Sequence, residues 1–123
     1  MADAAILMSI GRIVFGAFFV IAGVRNFLRF GERTQFLTNY GWNLPAWMLA
    51  LGFATQLLGG LALVFDVWTR TAAVALIGFL VLATALYHNL FLFRGKERDP
   101  HIYFTLVNIT IAGGLLMVIA QAL

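Results

Sequence analysis

Four long apolar stretches dominate the chain, the first interrupted by Arg12 and the others broken by charge or proline only near their ends. They run over about 4–30, 45–67, 69–93 and 100–122. At 1.5 Å of rise per residue each can cross roughly 30 Å of hydrocarbon, and none shows the alternation of a strand. Lipid offers no partner to an open strand edge, so the pattern predicts four transmembrane helices. Pro45 and Pro100 fall where a first helical turn begins, with Asp99 as an N-cap and Thr69 as a possible cap of the third span. Trp42, Trp47, Trp68, Tyr40 and Tyr103 mark span ends, as interfacial aromatics do. The first loop, 31–44, and the third, 94–99, hold most of the charge, while the second is almost a direct turn.

Within the spans, small and polar residues recur at helical spacing. The first carries Arg12, Gly16, Phe19, Gly23 and Asn26; the second Gly52, Gln56, Gly59, Leu63 and Asp66. The third carries Thr71, Val74, Gly78, Val81, Ala85 and His88; the fourth His101, Thr105, Asn108, Ala112 and Leu115. Stripes of this composition line helix–helix interfaces in membranes. The expected fold is therefore all-α, an integral membrane four-helix bundle. The segment 25–33 echoes 88–98, and each precedes a proline and then a Gly-Gly pair (Gly59-Gly60, Gly113-Gly114), which suggests two tandem helical hairpins.

Composition narrows function further. Of 123 residues 63% are hydrophobic and 11% charged, and the mean hydropathy is +0.96. That excludes a soluble core, a disordered tail and a charge-driven nucleic-acid binder. The net charge of +3 comes from scattered residues: Arg25, Arg29, Arg33, Arg94, Lys96 and Arg98 on one side, Arg12 and Arg70 on the other. The positive-inside rule then places loops one and three in the cytoplasm and both termini outside. Asp3, an early Arg12 and an apolar run past Gly23 do not read as a cleavable signal. With no cysteine in the chain, thiol–disulfide chemistry, iron–sulfur clusters and cysteine zinc sites are excluded.

Polar residues in apolar spans are the candidates for function, since a mid-bilayer charge costs about 2.5–3.5 kcal/mol on insertion scales. Arg12 either pairs with Asp66 at the outer surface or supplies a polar contact. Gln56, near mid-span, bonds another helix or faces a cavity. His88 either binds a carbonyl headgroup or relays a proton with Asn26 and Asn108, or is an interfacial histidine satisfied by loops. These three are expected to share one layer near the cytoplasmic face, where desolvation lowers the His88 pKa. A shared haem or metal site between His88 and His101 has no supporting carboxylate or second histidine pair. No phosphate loop, nucleophile elbow or paired carboxylate is present.

The chain resembles the DoxX-like family of small four-span bacterial membrane proteins. The resemblance rests on Gly11-Arg12-Ile13-Val14-Phe15-Gly16, Ala22-Gly23-Val24-Arg25-Asn26-Phe27 and the run from Gln56 to Leu63. Thr69-Arg70, His88, and Asn108 before Gly113-Gly114 complete it. It implies a bundle of the bacterial inner membrane. Members are linked to thiosulfate:quinone oxidoreductase or to quinone and oxidative-stress responses, and most have no assigned reaction. The family often has Glu where Gln56 stands and Lys where Val107 stands, so an interior acid and base are missing here. The expectation is a component that contacts quinone or an electron-transfer partner through His88, Asn26, Asn108, Gln56 and Arg12, with no covalently bound cofactor. The alternative is a non-catalytic accessory subunit of a larger membrane complex; a transporter is disfavoured by unbroken spans and a sparse polar lining.

Overall fold

The computed structural model describes residues 2–89 and 91–123. Four long helices form the bundle: α1 (Ala2–Leu28), α3 (Ala46–Phe65), α4 (Thr69–Tyr87) and α5 (Arg98–Gln121), with a short α2 (Phe30–Arg33) following α1 and a 3-10 turn (Gly95–Glu97) preceding α5. All four are long and apolar enough to cross a membrane. Their outer faces confirm it, because Leu7, Leu58, Val81, Leu116 and many other large apolar side chains lie exposed on every side. No water-soluble fold tolerates a surface of that kind.

Pairing follows the predicted hairpins. α1 packs chiefly against α3, α4 against α5, and α3 with α4 joins the two pairs. Gly16 and Gly60 let α1 and α3 meet at their backbones: a Cβ on Gly60 would lie 2.7 Å from the Gly16 carbonyl oxygen. Gly59 faces the other way, against Leu76 of α4. The core is small and apolar, with Phe19, Leu63, Leu76 and Leu115 fully buried.

Three expectations need correction. The third span ends at Tyr87, not near Phe93, and Leu90 within that stretch lies outside the described residues. Its last carbonyls are taken by loop one: the Asn39 backbone N–H donates to Leu86 O at 2.7 Å and the Asn39 amide to Ala85 O at 2.8 Å. Loop one is itself ordered by a bridge between Leu37 and Asn43 around Gly41, whose φ is 86°. Secondly, the stripe proposed for α4 faces outward. Thr71, Val74, Gly78, Val81 and Ala85 are exposed, and the buried face is Thr69, Ala72, Ala73, Leu76 and Leu80. The small residue at the α3–α4 contact is Gly59 on α3, so α4 supplies the bulky Leu76 that fills the space above it.

Thirdly, the caps differ. Pro45 and Trp68 occupy the N-cap positions of α3 and α4, and α5 starts at Arg98 with Asp99 inside its first turn. The Thr69 hydroxyl donates instead to the Asp66 carboxylate across the tight second turn. That turn is held by left-handed backbone at Asp66 (φ 56°) and Trp68 (φ 48°).

Candidate functional site

Two polar clusters stand at opposite ends of the bundle. At the end with the chain termini, Arg12 on α1 reaches the C-terminus of α3. Its Nη1 donates to the Leu63 carbonyl and, at 3.2 Å, to that of Val64, while its Nε lies 3.8 Å from the Asp66 carboxylate. Those carbonyls have no next turn to bond, and a cation there also matches the negative end of the helix dipole. Asp66 is exposed, so the ion pair adds little. Arg12 is thus a helix cap in geometry, far along the bundle from the other candidates.

The other end gathers the rest. A cleft of about 390 Å³ opens between α1, α3, α4 and loop one, and Asn26, His88 and Asn108 all line it. Arg33, Tyr87 and the rings of Phe36, Phe53 and Phe79 complete much of the wall. The three sequence candidates share this space without bonding one another. The Asn26 amide donates to the Gln56 side-chain oxygen at 2.7 Å and accepts from Arg33 Nε at 3.1 Å. Gln56 is buried behind Asn26, holding its orientation rather than lining the cleft. The Asn108 amide donates to the Thr84 hydroxyl at 2.9 Å, which ties α5 to α4.

His88 sits just past the end of α4, where its backbone has left the helix. Its Nδ1 lies 2.8 Å from Nδ1 of His101, so one ring donates and the other accepts. Phe104 stacks against His88 and Phe93 against His101, and the Thr105 hydroxyl donates to the His88 carbonyl. Burial pushes the His88 pKa below its ordinary 6.5, and the neighbouring His101 pushes it the same way. Among the described residues no third His, Asp or Glu gathers with the pair.

Arg33, Tyr87 and Thr84 are the participants that sequence reading missed. Arg33 lies seven positions after Asn26, the spacing of one helical face, but the break between α1 and α2 hides that relation. The Tyr87 hydroxyl is buried and makes no hydrogen bond among the described residues. Nothing in its surrounding sequence marks it.

The DoxX family model matches residues 7–89. The chain belongs to the DoxX family. Inner membrane protein YqjF of Escherichia coli (strain K12) is 32% identical over 108 residues, covering 88% of this chain and 78% of that protein. No solved structure matches. The chain is accordingly a small multi-pass membrane protein of DoxX type. The family match ends at Asn89, so His101 and Asn108, which close the site from α5, lie beyond it.

Proposed function

We propose that this DoxX-family protein binds a quinone headgroup in the cleft beneath loop one, as a component of the bacterial inner membrane. The observation that carries the reading is the composition of the cleft wall. Apolar and aromatic residues form most of it, and Asn26, Tyr87, His88 and Asn108 set a few donors among them. A quinone is a flat apolar ring with two carbonyl acceptors, so it needs donors and ring surfaces. The buried Tyr87 hydroxyl has no other partner among the described residues. Asn26 and Asn108 each keep a second amide N–H after their protein bonds. When His88 Nδ1 accepts from His101, the His88 proton sits on Nε2, ready for a carbonyl. Gln56 and Arg33 hold Asn26 in place, and Arg12 serves the opposite end as a cap.

Titration of the detergent-purified protein with a short-chain quinone, read by quenching of its tryptophans, tests this. Saturable quenching is expected, weakened about two- to tenfold by Tyr87→Phe or His88→Ala, the range for one lost hydrogen bond. Quenching that never saturates, or that ignores both substitutions, contradicts it. The accessory-subunit reading predicts the opposite pair of results: no saturation, and comigration with a partner on native gels. The charge asymmetry supports termini outside and loops one and three in the cytoplasm. A cysteine placed at Ala2 should react with an impermeant reagent in spheroplasts and one at Lys96 should not; the reverse pattern inverts the orientation.

A further inference from the structure

A second hollow lies on the outer side of α4 and α5 and meets the quinone cleft at His88 and Asn108, which line both. It forms a trough of about 460 Å³ along Leu80, Val81, Ile109 and Ala112, and Arg98 lines its end at loop three. A further hollow of about 380 Å³ adjoins it, sharing Phe91 and Arg98 and adding Arg94. Val81 and Ile109 are exposed, so the trough opens where lipid chains run. Among the described residues neither Arg94 nor Arg98 forms an ion pair or a side-chain hydrogen bond, and Glu97 and Asp99 line neither hollow. Phe91 stands 89% exposed and lines both hollows together with Arg98.

An apolar trough ending in two unmatched cations is complementary to one class of molecule, an acyl chain joined to an anion. A neutral quinone leaves the guanidiniums unmatched, and a free phosphate leaves the trough empty. We propose that the α4–α5 trough binds an anionic phospholipid, its phosphate held by Arg94 and Arg98 and an acyl chain lying along Leu80, Val81, Ile109 and Ala112. Guanidinium suits the phosphate oxygens because it presents paired donors in a plane.

Native mass spectrometry of the full chain, with equal phosphatidylglycerol and phosphatidylcholine added, provides the test. A retained phosphatidylglycerol adduct is expected, with affinity falling about fivefold for each of Arg94→Gln and Arg98→Gln. Arg70→Gln, the same charge change at the far end of α4, should leave it intact. Val81→Trp, at an exposed position that tolerates bulk, should block the trough and remove the adduct while the thermal melt is unchanged. Excess glycerol phosphate should not compete. Equal retention of both lipids, indifference to the two arginine substitutions, or displacement by glycerol phosphate or by a short-chain quinone would each overturn the proposal. Failure here leaves the quinone titration untouched, because Val81, Arg94 and Arg98 do not line the cleft and the ligands differ.

Discussion

The two helical hairpins are held together by different kinds of contact. α1 and α3 meet backbone to backbone through Gly16, Gly23 and Gly60, where a methyl group already finds no room. α4 and α5 meet through side chains, with Leu76, Leu80, Leu115 and Val118 in the core and an Asn108–Thr84 bond towards loop three. Backbone contact leaves no space between helices, whereas side-chain contact leaves gaps wherever side chains fall short. Both the cleft and the trough border α4 accordingly. At the cleft the first hairpin acts as the fixed wall, whereas the trough is bounded by the second hairpin alone.

That contrast can be broken first at its tight side. Gly60→Leu should have the largest effect, because backbone atoms of Gly16 and Val20 would have to move. A destabilisation of about 3 kcal/mol or more is expected, at the upper end for overpacked cores. A detergent melt showing no loss would mean that α1 and α3 are not in backbone contact. Next comes Gln56→Leu, which strips the acceptor from Asn26 in a buried position and should cost about 1–3 kcal/mol. Gln56→Glu, which keeps an acceptor, should retain more stability than Gln56→Leu in the same melt; equal losses would mean that volume, not hydrogen bonding, sets the effect.

A smaller effect follows acid. His88 binds a proton less readily in the folded protein than at its ordinary pKa of 6.5, so the unfolded chain takes up more protons below that pH. Stability is thus fully present above about pH 6.5 and falls as pH drops from there towards the lowered folded value. Two protonated rings also cannot share the His88–His101 bond, and Arg98 adds positive charge along the same trough. Melts at stepped pH should show this slope, and His88→Gln should flatten it. A slope unaltered by His88→Gln would assign it to other groups. Smallest of all is Gly113→Ala on the loose side, where no atom lies within 4 Å of the added carbon. The change should be neutral or stabilise by up to about 1 kcal/mol, from helix propensity alone; a clear loss would place another surface against Gly113.

The sequence made the four spans legible because hydrocarbon thickness and backbone satisfaction leave few alternatives. It also made Gly59 legible as a contact residue, because it falls on the stripe of small and polar residues of the second span. The shared depth of Asn26, His88 and Asn108 followed from rise per residue alone. The lipid-facing stripe on α4 was misread for a physical reason: a helix contact needs one small partner, and here it lies on α3 as Gly59. The end of α4 depends on Asn39, nearly fifty positions away, so no local signal at His88 announces it. Arg33 and Tyr87 escaped notice because a helix break and an ordinary interfacial tyrosine carry no pattern of their own.

Photo-crosslinking with an azido-quinone, followed by mass-spectrometric mapping of the labelled peptides, tests the central claim most directly. Label is expected at the cleft, on residues such as Met48, Phe79 and Tyr87, and competition by unmodified quinone should suppress it. Label spread over the outward faces at Leu58 and Leu116, or concentrated in the trough at Val81 and Ile109, would contradict a headgroup site between the two hairpins.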